Sequence, residues 1–210
     1  MLSTIIVDGN EIKAKTGSNL LWAALDNGIF IPNLCSIREN SKPLASCRLC
    51  FVEVAGLPNP VTSCTEKVKD GMKVTINSPR TTVLRRSSFN LLLSRHRLDC
   101  GRCPKNRKCE LQHIASLEHF KLNDKRLKKI AADYDVDTSH RLFAFDKNKC
   151  VLCGRCVWVC QREGTGVLDF AYRGINTMVS TFAGMPLSET ECNSCLSCVT
   201  VCPVGALYAK

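Results

Sequence analysis

The N-terminal run Met1-Leu2-Ser3-Thr4-Ile5-Ile6-Val7 reads as a strand, and Asp8-Gly9-Asn10 after it is a hairpin signal that turns the chain into a second strand. Gly17-Ser18-Asn19 then precedes a helical stretch from Leu20 to Asp26, closed by Asn27-Gly28. Phe51-Val52-Glu53-Val54 and Val74-Thr75-Ile76 alternate as further strands. Ser78-Pro79 is a helix start, with Ser at the cap and Pro at the first helical position. In the run Thr82 to Ser94 that follows, Val83, Leu84, Phe89, Leu91, Leu92 and Leu93 are the expected buried positions. No apolar stretch approaches the roughly 18 to 20 residues that a membrane-spanning helix needs.

Composition changes this picture through one residue type. The chain has 210 residues, 45% of them hydrophobic and 6% aromatic, enough for one ordinary domain or two to three small ones. Small modules with thin cores need staples, and this chain carries 15 cysteines. The N-terminus lacks a basic segment followed by an apolar run, and it lacks a twin-arginine signal. The expectation is a soluble protein of the reducing cytoplasm, where clustered cysteines bind metal or do redox chemistry rather than form disulfides.

The cysteines fall into four groups separated by 35, 40 and 31 residues. Two intervening residues let a short loop aim both thiolates at one centre while its N–H groups donate to the sulfurs. Cys150, Cys153, Cys156 and Cys160 have the spacing C-x2-C-x2-C-x3-C, and Cys192, Cys195, Cys198 and Cys202 repeat it with Pro203 following. This is the run of bacterial two-cluster ferredoxins, in which the fourth cysteine of each motif serves the other cluster. One [4Fe–4S] cluster is therefore expected on Cys150, Cys153, Cys156 and Cys202, and a second on Cys160, Cys192, Cys195 and Cys198. The first motif lacks the terminal proline and the spacer is long, but neither departure removes a ligand.

Cys35, Cys47, Cys50 and Cys64 follow the strand, turn, strand, helix order of a β-grasp [2Fe–2S] ferredoxin. Plant-type spacing has four residues between the first two ligands, whereas here there are eleven. A four-thiolate zinc loop is the alternative. The remaining group, Cys100, Cys103 and Cys109, is one ligand short. His96 lies four residues before Cys100 and His113 four residues after Cys109, and spacing does not choose between them. His119 and His140 are read as ordinary surface or core residues.

His96-x3-Cys100-x2-Cys103-x5-Cys109, together with the wide first group and the paired ferredoxin motifs in this order, resembles a specific family. Its members are the N-terminal iron–sulfur segments of the large iron–sulfur subunit of complex I, of [FeFe] hydrogenases and of NAD-linked formate dehydrogenases. The segment is also similar to the small diaphorase subunit of NAD-reducing [NiFe] hydrogenases. The resemblance runs from Ile5 to about Tyr208. It implies His96 as the fourth ligand of a [4Fe–4S] cluster and a [2Fe–2S] cluster on Cys35, Cys47, Cys50 and Cys64, making one [2Fe–2S] and three [4Fe–4S] clusters. The implied fold is α+β, in four segments. These are a β-grasp [2Fe–2S] domain over 1–78, a helical module with the histidine-ligated site over 79–120, a linker over 121–140 and a two-[4Fe–4S] ferredoxin-like domain over 141–210.

Eight residues follow Cys202, and there is no further metal motif, no dinucleotide-binding G-x-G-x-x-G after a strand and no P-loop. Gly164-Thr165-Gly166 reads as a loop. The expectation is a non-catalytic electron-transfer subunit. The partners the resemblance implies are an FMN-containing NAD(P)H dehydrogenase subunit, a thioredoxin-like [2Fe–2S] subunit, and a hydrogenase or formate dehydrogenase catalytic subunit. In electron-bifurcating relatives, free ferredoxin is a further partner. A free-standing soluble polyferredoxin is the alternative.

The formal net charge of +10 invites a nucleic-acid or membrane-surface reading. Four such clusters with their thiolates would bring about −7 and leave the loaded protein near about +3, so no nucleic-acid partner is expected. A zinc-binding nucleic-acid protein fits the spacing less well, and nothing in the sequence provides the DNA-reading element of a cluster-based redox sensor. Arg80, Arg85, Arg86, Arg95 and Arg97 read as a solvated helix face, with a subunit interface or a cushion for cluster charge as the functional alternative. Lys105, Arg107 and Lys108 lie inside the cysteine-and-histidine loop and could compensate cluster charge there. Lys121 to Lys129 reads as a surface helix or linker, and Trp22 and Trp158 as core residues rather than electron relays.

Overall fold

A computed structural model describes residues 1–123, 128–130, 133–163 and 165–210. Parts of the linker stretch 121–140, and Gly164, lie outside the described residues. The chain forms two compact units, Met1–Phe89 and Asn90–Lys210.

The first unit is a mixed five-stranded sheet with one helix packed on it. Strands β1 (Leu2–Val7) and β2 (Asn10–Lys15) form the expected hairpin, paired from Leu2↔Lys15 to Val7↔Asn10. Asp8 and Gly9 at its tip have φ of 45° and 82°, the positive values that a two-residue turn matching strand twist requires. β3 (Phe51–Val54), β4 (Val61–Thr62) and β5 (Lys73–Thr75) complete the order β2-β1-β5-β3-β4, in which β1 and β5 run parallel. Helix α1 spans Leu20–Asp26, and Asn19 caps it by accepting from the Trp22 N–H at 3.3 Å. Leu20, Leu21, Ala23 and Ala24 face a core that includes Ile5, Val7, Val52, Val54, Val74 and Ile76. Ile76 lies just beyond β5 rather than in it, but it is buried as its alternation suggested.

Helix α2 (Pro79–Arg95) begins at the expected proline. Its buried stripe differs from the expected one. Val83 and Leu91 are 64% and 67% exposed, and Leu84 and Leu92 are half-buried. The buried positions are Thr81, Arg85, Phe89 and Leu93, an i, i+4 series that apolarity alone does not mark, with Ser94 beside its end. Arg85, expected on a solvated face, is 2% exposed and donates to the Ile76 carbonyl at 2.8 Å and to Asn77 Oδ1 at 3.1 Å. The Ile76 carbonyl, just past β5, also accepts from Thr81 Oγ1 at 2.7 Å, so α2 supplies two donors to it, and these charged and neutral hydrogen bonds offset the desolvation of the guanidinium. Trp22 and Trp158 are half-buried rather than core, each under an arginine, Arg38 at 4.6 Å and Arg162 at 5.1 Å.

In the second unit, β6 (Phe143–Phe145) pairs antiparallel with β9 (Leu207–Ala209). Between them run α4 (Arg155–Arg162), the hairpin of β7 (Asp169–Ala171) and β8 (Met178–Ser180), and α5 (Ser197–Val201). Helix α3 (Glu110–Leu117) precedes this part and buries Leu111, Ile114 and Ala115. Among the described residues, no helix is long and apolar enough to cross a membrane.

Replacing Arg85 by Met keeps the stem's bulk and removes the charged hydrogen bonds. It is expected to cost about 2 kcal/mol, read by denaturant unfolding of the chain, and an unchanged midpoint would show that the Thr81 hydroxyl alone satisfies Ile76.

Candidate metal centres

All fifteen cysteines are free, and ten are buried. Such thiols need an explanation, because their chemistry rather than their packing decides what they are for.

In the first unit, Cys35, Cys47, Cys50 and Cys64 converge. Cys35 and Cys47 hydrogen-bond through sulfur, as do Cys50 and Cys64, and the Cys64 sulfur lies within electrostatic reach of Cys35 and Cys47. The Cys47 thiol and neighbouring N–H groups of Ser46 and Cys47 hold Cys35 down to about 5, while Cys35 and burial push Cys47 up. The loop is bent by two residues of positive φ, Ala45 at 49° and Arg48 at 55°. The Asn19 side chain ties α1 to the segment after β4 by donating from Nδ2 to the Cys64 carbonyl at 2.5 Å.

In the second unit, the two C-x2-C-x2-C loops share one backbone shape. Leu152 and Ser194 occupy the same place in each motif, with φ of 53° and 61°, and Gly154 and Leu196 the next, with φ of 79° and 61°. Glycine adopts that conformation without strain, whereas a leucine there costs roughly 1–2 kcal/mol. The bend lets N–H groups point at sulfur, as Leu152 does toward Cys150 at 3.4 Å. Packing of α4 on α5 then exchanges the fourth cysteines. Cys202 neighbours Cys150, Cys153 and Cys156, and Cys160 neighbours Cys192, Cys195 and Cys198 through Cys198. Burial pushes Cys150 up to about 11 and Cys198 up to about 12, and raises Cys153 and Cys156 as well. The Gly164-Thr165-Gly166 stretch, where described, serves the same site. Thr165 Oγ1 lies 3.2 Å from Cys160 Sγ, and the Gly166 N–H donates to the Cys160 carbonyl at 3.1 Å.

The remaining group also finds its members. Cys100 and Cys103 lie on and beside a short 3-10 turn, and both lie near Cys109, the cap of α3. His96 is buried at the end of α2, while His113 is exposed on α3. Nδ1 of His96 lies 2.9 Å from the Lys149 carbonyl, an oxygen that can only accept, so Nδ1 carries the proton and Nε2 keeps its lone pair. Burial holds this imidazole below its usual range, which keeps it neutral and suited to ligation. A cavity of about 600 Å³ is lined by His96, Cys100, Arg97, Leu98, Lys129 and Asp133 among others. His140 has the opposite tautomer: its Nδ1 accepts from the Leu142 N–H at 3.2 Å, so its Nε2–H faces Ser194 Oγ at 3.1 Å. His119 is exposed.

The donor sets fit iron–sulfur clusters: soft thiolates gathered by short loops, with N–H and hydroxyl groups directed at sulfur. Two buried donors beside them, Ser36 Oγ and Arg155 Nε, have no partner among the described residues and could serve sulfide. Among the described residues, no three His, Cys, Asp or Glu side chains close around a single metal ion. Sequence reasoning missed Lys149, which is buried beside the His96, Cys100, Cys103 and Cys109 group. Its lysine identity and distance in sequence from that group gave no signal.

Residues 3–79 match the 2Fe-2S iron-sulfur cluster binding domain, 85–119 the NADH-ubiquinone oxidoreductase-G iron-sulfur binding region, and 149–206 the 4Fe-4S dicluster domain. This is an iron–sulfur protein with cluster domains of both [2Fe–2S] and [4Fe–4S] type. The NADP-reducing hydrogenase subunit HndD of Solidesulfovibrio fructosivorans is 39% identical over 97% of this chain and 35% of its own length. The NADH-ubiquinone oxidoreductase 75 kDa subunit of Reclinomonas americana is 32% identical over 98% of this chain and 29% of its own. A chain in the crystal structure of an NAD+-reducing [NiFe]-hydrogenase in the H2-reduced state superposes with a TM-score of 0.89 at 31% identity, covering 99% of this chain and 87% of that one. The chain belongs to the family of iron–sulfur electron-transfer segments shared by the complex I large iron–sulfur subunit and NAD(P)-linked hydrogenases, and it spans about a third of the length of the curated relatives named here.

Gly205 is buried, and the place of a Cβ on it is taken by the Cys103 sulfur. Gly205→Ala is expected to displace Cys103 and lower the iron content of the purified chain while leaving its circular dichroism unchanged. Full iron content would show that the Cys103 loop yields instead.

Proposed function

We propose that this chain relays single electrons between an FMN-containing NAD(P)H dehydrogenase subunit and a separate catalytic subunit of hydrogenase or formate dehydrogenase type. A thioredoxin-like [2Fe–2S] subunit on the flavin side, and exchange with free ferredoxin in a bifurcating assembly, belong to the same reading. So does a cytoplasmic location, where thiols stay reduced until they are metallated. The observation that carries the proposal is the convergence of the cysteines into successive sets within one chain.

On this reading, Cys35, Cys47, Cys50 and Cys64 in a domain over 1–78 hold one [2Fe–2S] cluster. His96, Cys100, Cys103 and Cys109, within 79–120, hold a [4Fe–4S] cluster. Past the 121–140 linker, Cys150, Cys153, Cys156 and Cys202 hold a second, and Cys160, Cys192, Cys195 and Cys198 a third. When bound, each cluster supplies a one-electron couple. The chain's own part is to bury the ligands, exclude water and aim N–H donors at sulfur, which together set the potentials.

Anaerobic purification with iron, nickel, molybdenum and flavin counts, and mass spectrometry of associated chains, tests the relay. A flavin subunit together with nickel, molybdenum or tungsten supports it. A chain that comes off alone with about 14 irons would make it a free polyferredoxin. His96→Cys adds a negative thiolate to one site, and the midpoint potential of a single [4Fe–4S] cluster is expected to fall in an EPR-monitored titration. An unchanged set of potentials would remove His96 from the ligands.

A further inference from the structure

Lys149 is the buried lysine that no cysteine spacing points to. Its side chain is 6% exposed, and its ammonium sits 3.2 Å from Asp99 Oδ1 and 3.4 Å from Asp146 Oδ2. A lysine is almost never buried without such partners. Asp146 is itself held in place, its carboxylate accepting from the N–H and Nδ2 of Asn148 at 3.0 and 2.9 Å. Two carboxylates hold the one ammonium in this buried position.

Three contacts bring Lys149 to the His96, Cys100, Cys103 and Cys109 group. Its carbonyl accepts from His96 Nδ1–H. Asp99, its ion-pair partner, immediately precedes Cys100. Its Cδ lies 3.6 Å from the place of a Cβ on Gly205, a place the Cys103 sulfur also crowds, and Cys103 is among the groups whose charge acts on the ammonium. Glycine at 205 thus leaves room for both the Lys149 stem and the Cys103 sulfur. The cation acting on the next ligand, Cys150, is a different one, Arg95. The loop cations Lys105, Arg107 and Lys108 are half-buried or exposed, where water screens them. An enclosed ammonium is screened far less.

We propose that Lys149 is a positioning and potential-setting residue for the His96, Cys100, Cys103 and Cys109 site. Its carbonyl holds the imidazole tautomer, and its enclosed ammonium stabilises the electron that arrives there. Asp99 opposes it and trims the effect. The inference rests on the ligand set proposed above. An electron added to the cluster makes it more negative, so a fixed cation nearby favours reduction and a fixed anion disfavours it.

The test uses the full chain with its clusters, and reads each cluster's midpoint potential by EPR. Lys149→Met keeps the backbone carbonyl and removes the charge. It is expected to weaken reduction of the histidine-ligated cluster about tenfold, equal to a fall of about 59 mV for one electron. Asp99→Asn is expected to shift the same cluster in the opposite direction, and Lys149→Arg to restore it toward wild type. The other clusters should move less. If Lys149→Met and Asp99→Asn leave that potential in place, or shift all clusters equally, the proposal is wrong. If Lys149→Met fails to assemble, the sign of the Asp99→Asn shift decides alone. Histidine nitrogen coupling in the EPR of the unmodified protein tests the ligand set separately. Its absence would overturn that assignment, whatever the variants do.

Discussion

Gathering the cysteine loops into close sets imposes more on this chain than its apolar core does. The second unit has strands of three residues, helices of five to eight and several single 3-10 turns, because the backbone bends wherever a cysteine loop closes. The left-handed residues at Leu152, Gly154, Ser194 and Leu196 are the local form of that constraint. Strain at three of these four positions is tolerated only where the surroundings over-determine the shape. Ligation would supply that, as metal binding and folding are linked wherever a preformed site costs free energy.

Electrostatics is the second constraint, and it explains where the cations go. Thiols this deeply buried hold their protons while no metal is bound, as the upward shifts at Cys150, Cys153, Cys156 and Cys198 express. Replacing those protons with metal brings negative charge into low-dielectric surroundings. A formal +10 on the chain is suited to offset it. The buried cations do different work. Arg85 ties α2 to the end of β5 through the Ile76 carbonyl, a structural role. Lys149 lies among acceptors at a proposed ligand site. Position relative to the donors, rather than residue type, separates the two.

Much of the fold was legible. The Asp8-Gly9 turn, α1 from Leu20 to Asp26, β3 and the proline start of α2 all follow from short-range chemistry, which acts within a turn or a few residues of the chain. The stripe of α2 was misread because Val83 and Leu91 look apolar and Arg85 looks polar, while burial is decided by which face meets the sheet. Leu196 shows the same limit. Gly154 announces a left-handed turn, but its counterpart in the second motif takes the same φ with no glycine to mark it.

For the candidate sites, the sequence by itself determined the grouping. Spacing of two residues between cysteines is a local property, and the repeat of one motif fixes which loops resemble each other. Tertiary structure decided what spacing left open: that His96 rather than His113 is turned inward, that its Nδ1 proton is held by Lys149, and that Gly205 clears the space for Cys103. These depend on segments about fifty to a hundred residues apart, brought together by the β6–β9 pairing and the packing around it. The chain encodes the cysteine groups where they are close in sequence, and the surroundings of those groups only where they are close in space.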